Sequence, residues 1–285
     1  MLDRQSSDRR ERPDLLKVGT KRLSPLELRQ VRFIRSTYES PRADKIIRYL
    51  QRTLGAAWID ICTKQLRRVH GFDRIPRLSP DESFIFVCNH RSFFDLYVIT
   101  MELFKRGMTQ RILFPVRAHF FYDSYLGLFV NGMMSFFAMY PPIFREKQKA
   151  FVNVASLQEL SFLIRRGGVF VGMHPEGTRN TSDDPLAFLP AQPGVGKIIH
   201  ESRVKVIPVF INGLLPNDLK RQVLSNFDGT GRAIHIVFGA PLDFSNEFAQ
   251  KSSPKLHRAI SERCMEAIAE LGREEQALRA HTSAA

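Results

Sequence analysis

The chain has 285 residues, 44% hydrophobic and 25% charged, which supplies enough apolar material for a packed core and excludes wholesale disorder. Its three cysteines, Cys62, Cys88 and Cys264, lie far apart, so neither a disulfide framework nor a zinc ribbon fits, and a reducing compartment is expected. The 42 Lys/Arg against 29 Asp/Glu leave +13, and the first 80 residues, with 19 against 9, carry most of it; such a surface draws polyanions, either nucleic acid or an anionic membrane face.

Residues 1–22 read as a flexible basic tail whose opening, MLDRQSSDRRERPD, holds no apolar run of the kind a secretion signal needs. Ser24-Pro25 then predicts a helix over 25–39, with Ser24 as N-cap and Pro25 at the first helical position. A second helix is expected over 43–69, where Ile46, Ile47, Leu50, Leu54, Trp58, Ile61, Leu66 and Val69 keep helical spacing among Lys45, Arg48, Arg52, Lys64, Arg67 and Arg68. Residues 23–70 thus form an N-terminal helical segment, either packed on the core with one solvated face or docked on an anionic bilayer as a basic amphipathic helix. Nucleic acid would call for stacking aromatics among the basic residues. Phe33, Tyr38, Tyr49, Trp58 and Phe72 fall mostly at apolar helical positions instead, so the membrane is preferred and no nucleic-acid partner is expected.

From residue 71 to 285 the texture is α/β. Strands are expected at Phe84–Cys88, Ile112–Val116, Val169–Met173, Val204–Ile211 and Arg232–Phe238, with helices near 93–105, 147–165, 194–202 and 254–271. The alternation predicts a central, largely parallel or mixed sheet flanked by helices and preceded by the N-terminal amphipathic helices. Residues 125–144 hold no charged side chain and are long enough to span a bilayer, but Asn131, Ser135 and Pro141-Pro142 weaken that reading. As a helix, this stretch would put Phe129, Met133, Phe136, Phe137 and Tyr140 on one face.

Two segments carry chemistry. Asn89-His90-Arg91-Ser92-Phe93-Phe94-Asp95 follows a strand and enters a helix, so Ser92 can cap the helix and Asp95, in its first turn, can reach back to His90. A carboxylate on one imidazole nitrogen fixes the tautomer and leaves the other nitrogen as a base. His174-Pro175-Glu176-Gly177-Thr178-Arg179 also follows a strand; Gly177 permits a tight turn, and Arg179 can take a phosphate in fork geometry. Gly194-Val195-Gly196-Lys197 is no P-loop, since Ala191 and Ile198 stand where glycine and a hydroxyl residue are required. His70, His119, His200 and His235 stand alone in the sequence and read as structural or surface residues.

Taken together, Asn-His-x4-Asp and, some way on, Pro-Glu-Gly-Thr-Arg resemble the glycerolipid acyltransferase family, the one containing lysophosphatidic acid acyltransferases. Ile143-Phe144-Arg145 resembles that family's intermediate block and Val206–Gly213 its apolar fourth block; Phe188–Gly194 with Lys197 resembles the link between the third and fourth. The likeness covers roughly 80–240. The chain departs from the pattern at His174, where an apolar or aromatic residue is usual, and at Tyr140-Pro141-Pro142, where a glycine is usual.

The resemblance implies an O-acyltransferase domain over 71–285. His90 would be the general base and Asp95 its orienting partner, while Arg145, Glu176, Gly177, Thr178 and Arg179 would bind the acceptor. The donor would be acyl-CoA or acyl carrier protein, a substrate rather than a cofactor, and no metal or other cofactor is implied. The acceptor would be a lysophosphatidate-like lysophospholipid, met at the cytoplasmic face of a membrane by a peripheral or monotopic protein. A spanning 125–144 helix would set His90 and Arg145 on opposite sides of the bilayer, so this stretch is expected to be core or interfacial. The competing readings are a metal-dependent lipid esterase or phosphatase, with His90, Asp95, His174 and Glu176 as ligands, and a non-catalytic membrane-binding protein.

Overall fold

The structure, a computed structural model, describes residues 14–215 and 218–284. It opens with α1 (Leu15–Gly19), α2 (Pro25–Glu39), α3 (Pro41–Leu50) and α4 (Ala56–Thr63), the last two joined through a π-helical turn at Gln51–Gly55. Then come β1 (Arg67–His70), β2 (Phe84–Cys88), α5 (Asp95–Lys105), β3 (Arg111–Leu113), β4 (Val116–Arg117), α6 (Ala118–Phe121) and α7 (Tyr125–Ser135). β5 (Pro142–Ile143), α8 (Ala150–Arg166), β6 (Val169–Met173), α9 (Pro193–Ser202) and β7 (Lys205–Asn212) follow. The chain closes with α10 (Leu219–Asp228), β8 (Ile234–Phe238), α11 (Ser245–Phe248) and α12 (Pro254–Ala284).

The main sheet has the order β1-β8-β7-β2-β6-β3. β7, β2, β6 and β3 run parallel, β8 turns back against β7, and β1 runs with β8, so the sheet is mixed and flanked by helices. β2 lies at its centre and is buried throughout. Ile85 and Val87 enter the core layer shared with α2, α8, α9 and α12, whereas Phe84, Phe86 and Cys88 enter the layer beneath α4 and α5. That two-residue period is the pleat of a strand covered on both faces.

α2 forms as its sequence requires: the Ser24 hydroxyl accepts from the Glu27 N–H, the Glu27 carboxylate accepts from the Ser24 N–H, and Pro25 opens the helix. The expected 43–69 helix does not persist. It widens at Gln51–Gly55, stops at Thr63, and Arg67–His70 join the sheet beside β8. Tertiary contacts explain the break. Buried Gln51 accepts from the Ile112 N–H at 3.0 Å and donates to the Phe136 carbonyl at 3.2 Å, binding the sheet edge and the end of α7 at once. The sheet therefore begins at residue 67, inside the segment read as helical, and Val31, Ile34 and Tyr38 of α2 share a core with Ile85 and Val171. Arg111, fully buried on β3, donates to the Thr37 carbonyl and the Asp44 carboxylate at 2.9 Å each and lies 3.3 Å from the centre of the Tyr38 ring.

Other expectations shift for local reasons. Of the expected tail, residues 1–13 lie outside the described residues; 15–19 form α1, and Leu15 is fully buried in the core. The stretch 125–144 folds as the eleven-residue α7, a reversal and β5. Phe136 and Phe137 adopt left-handed backbone that ends the helix, and Tyr140 is core, so the expected shared face reduces to Phe129 and Met133. Asn131 holds the reversal, its side-chain oxygen accepting from the Ser135 hydroxyl at 2.8 Å and the Met139 N–H at 3.2 Å. Among the described residues, no helix is long and apolar enough to cross a membrane. The closing helix runs to Ala284, past the expected 271.

Candidate active site

β2 and β6 are parallel neighbours with Val87 opposite Met173, so the residues that follow each strand emerge side by side at one end of the sheet. Asn89, almost fully buried, makes paired bonds with β7: its amide donates to the Ile211 carbonyl at 2.8 Å and its oxygen accepts from the Ile211 N–H at 2.9 Å. Those bonds substitute for a ladder rung, and the next residue, His90, leaves the sheet.

His90 Nδ1 lies 3.2 Å from Asp95 Oδ2. The same oxygen accepts from the Arg91 and Ser92 N–H groups at 2.8 Å each. Asp95 thus folds back across the turn as expected, but Ser92 is not the cap of α5: Phe94 precedes that helix, and the Ser92 hydroxyl accepts from the Phe94 N–H at 3.3 Å. Burial raises the Asp95 carboxyl to about 6, against the pull of His174 and of the two backbone donors. Burial, followed by the Arg179 charge, lowers His90 to about 4. At neutral pH the carboxylate is ionised and the imidazole neutral. Nδ1–H is then held by Asp95, and Nε2 keeps its lone pair, the state a general base requires.

The two motifs are stitched through backbone. Glu176 accepts from the His90 N–H at 2.8 Å and the Leu189 N–H at 2.9 Å, and the Asn180 N–H donates to the His90 carbonyl at 2.8 Å. Glu176 is buried, and through these two bonds it ties the 174–180 loop to His90. Gly177 has φ +67°, closes a turn onto the His174 carbonyl at 3.0 Å, and a Cβ there would sit 2.8 Å from Gln192 Cγ. Arg145 donates to the Gly177 carbonyl at 3.2 Å, Thr178 is exposed on the same turn, and Arg179 is near enough to act on His90 electrostatically. All seven expected site residues therefore gather at one end of the sheet.

Sequence reasoning assigned no role to Asn89 or Asn180, and gave His174 one only as a ligand in the competing metal-dependent reading. The His174 ring stacks on His90 with centroids 3.8 Å apart and planes 9° from parallel, and its Nδ1 lies 3.1 Å from the Cys88 carbonyl. Burial, then the neighbouring His90, lowers it to about 3. The available signal was its place directly after a strand, where a usually apolar position holds a polar ring. His70 and His235, read as isolated, also stack, at 5.3 Å.

His90, Asp95 and His174 bring ligand-type atoms within 4.8 Å of one another. Imidazoles bind an ion in their own planes, and rings stacked this nearly parallel direct their lone pairs side by side rather than at one point. Asp95 Oδ2 already accepts three donors. The other Asp95 oxygen, Oδ1, is buried and makes no hydrogen bond.

Among solved structures nine chains match; one, the 1-acyl-sn-glycerophosphate (LPA) acyltransferase PlsC from Thermotoga maritima, is 20% identical, with 81% of this chain and 82% of that one covered and a TM-score of 0.46. No curated protein matches the chain. The family model described as Acyltransferase matches residues 66–212, which takes in β1 through β7, the His90–Asp95 turn and the 174–180 loop. The chain belongs to the acyltransferase family.

Proposed function

We propose that the protein moves a fatty acyl group from acyl-CoA or acyl carrier protein to the hydroxyl of a lysophosphatidate-like glycerolipid. One observation carries this reading: His90 is held on Asp95 through Nδ1, with Nε2 left as base, beside two arginines at the 174–180 turn. His90 Nε2 takes the hydroxyl proton as the oxygen attacks the thioester carbonyl. A C–O bond forms, the C–S bond breaks, and the proton on His90 passes to the departing thiolate. Arg145 and Arg179 hold the acceptor's phosphate. No cofactor takes part.

The same reading puts the protein on the cytoplasmic face of a membrane, bound peripherally. Tyr125, Leu126, Phe129 and Met133 of α7 are each more than 60% exposed, and Ile46 and Tyr49 of α3 are 58% exposed beside Lys45 and Arg52. Apolar insertion with a basic surround suits an anionic interface. The test is to incubate purified protein with mixed acyl-CoAs, acyl carrier protein loaded with the same chains, and a panel of phosphorylated and phosphate-free acceptors, and to identify products by mass spectrometry. A diacyl phosphate product that disappears in His90→Ala supports the reading; hydrolysis without transfer, abolished by chelator, overturns it. Vesicle co-sedimentation that weakens with salt but persists supports docking, and equal recovery with and without anionic lipid counts against it.

A further inference from the structure

A single hydrogen bond restrains one distance, while a histidine side chain has two torsions. His90 meets Asp95 through one contact of 3.2 Å at Nδ1, which leaves a coupled rotation of χ1 and χ2 that tilts the ring and carries Nε2 away from an incoming hydroxyl. The only aromatic ring stacked on it among the described residues is His174. His174 is itself well fixed. It follows β6 directly, its Nδ1 bonds the Cys88 carbonyl at the end of β2, and its own carbonyl closes the turn with Gly177. With Nδ1–H committed to Cys88, it presents the flat face of a neutral imidazole to His90.

We propose that His174 is a positioning residue for acyl transfer: its ring face holds His90 in the plane from which Nε2 meets the acceptor hydroxyl, and lies against the imidazolium once the proton is taken. The neutral ring is suited to the second task, because a cation over a π face is stabilised while two charged rings would repel. Cys88 Sγ, 3.4 Å from His174 Nδ1, is fully buried, and its thiol is pushed well above its usual value by burial, so it takes no part as a nucleophile. The inference rests on His90 being the base. If His90→Ala still transfers, that assignment fails; if His90→Ala is inactive while His174→Ala is unaffected, only the present inference fails.

The experiment compares full-length wild type with His174→Phe, His174→Gln and His174→Ala, using an acyl-CoA and lysophosphatidate. Phe keeps a flat ring and loses the bond to Cys88; Gln can keep the bond and loses the ring. His174→Ala and His174→Gln should lose roughly 10²-fold in kcat, the scale of a small misplacement of reacting groups, with the acceptor KM within about twofold. His174→Phe should recover kcat to within about tenfold of wild type. In NMR spectra, the His90 Cε1–H of wild type and His174→Phe should show the ring-current displacement of a stacked imidazole, and His174→Gln should lose it. Wild-type turnover in His174→Ala or His174→Gln overturns the proposal, as does a folded His174→Phe that is as slow as His174→Ala. An undisplaced His90 resonance in the wild type overturns it even if every variant fails to fold.

Discussion

The turn bearing His90 and the helices at 41–63 are both tethered by polar bonds, but through different atoms. In the turn, Asn89 and Arg91 also reach out by side chain, but the ties that seat His90 end on backbone: the His90, Arg91 and Ser92 N–H groups and the His90 carbonyl all find partners within 89–95 and 174–180. In the helices they start from side-chain tips that cross to other elements. Gln51 reaches Ile112 and Phe136, the Trp58 indole donates to the Met134 carbonyl at 3.1 Å, and Arg48 donates to the Gly168 carbonyl. Backbone ties fix where a side chain starts and leave its tip free for chemistry. Side-chain ties consume the tip in holding the fold together. Substitutions in the first region should therefore act on rate, and in the second on stability.

The largest effect is expected at His90, whose imidazole tip is tied only through Nδ1. His90→Ala should cost ~10²–10⁴ in kcat while the thermal midpoint moves little; retention of more than about a tenth of the rate would place the loss below that range. Arg111→Met should do the reverse. It removes buried bonds to Thr37 and one of the two arginine partners of Asp44, which keeps Arg48 at 2.6 Å; loss of a charge-assisted bond is worth ~1.5–3 kcal/mol, read by denaturant titration, with kcat per folded molecule unchanged. An equal loss of rate would mean the two regions are not separable in this way.

Arg145→Ala and Arg179→Ala refine the picture within the site. Loss of a charge-assisted bond costs ~1.5–3 kcal/mol, so the acceptor KM should rise roughly tenfold to a hundredfold with the donor KM little changed. Equal rises for both substrates would argue against phosphate recognition.

The smallest effect is on pH-dependent stability. His90, His174 and His235 are held below the usual 6.5, at about 4, 3 and 4, chiefly by burial. Their contribution is complete above 6.5 and is lost as pH falls from there toward 4. Asp95 works the other way: a carboxyl raised to about 6 favours the fold most below its unfolded value and loses that contribution as pH rises through 6. The histidines outnumber it, so the thermal midpoint should fall as pH drops from 6.5 to 4.5, and His235→Phe should flatten the slope. A midpoint that rises on acidification would contradict the balance.

Much of the site was legible in sequence because its geometry is local. Asp95 lies five residues from His90, and a strand end followed by a helix start brings the two together. β2 and β6 were equally legible, since they are continuous apolar runs, whereas the expected strand 112–116 divides into β3, which ends at Leu113, and β4, which pairs with β5 in a second sheet. What escaped was set by distant partners. The spacing over 43–69 does favour a helix, but the sheet takes Arg67–His70 and Gln51 is drawn to β3. Leu15 looked like part of a tail because the pocket that buries it comes from later elements. The tie from Glu176 to His90 was not legible because nothing in the 174–179 segment shows that the N–H of His90 is waiting for an acceptor.

The bond between Gln51 and Ile112 also bears on whether the chain stays dispersed. β3 ends the sheet, and its Arg111 N–H is already spent on the Gly168 carbonyl, which leaves the Ile112 N–H on the outer side. A bare strand edge is a template on which a second copy can add its own strand and begin an aggregate. Here a glutamine side chain takes the outward donor and α3 lies over that end, while the opposite edge, β1, is only four residues long and carries Arg67 and Arg68. The widened turn that interrupts the helix thus carries the side chain that occupies the outward donor of this edge.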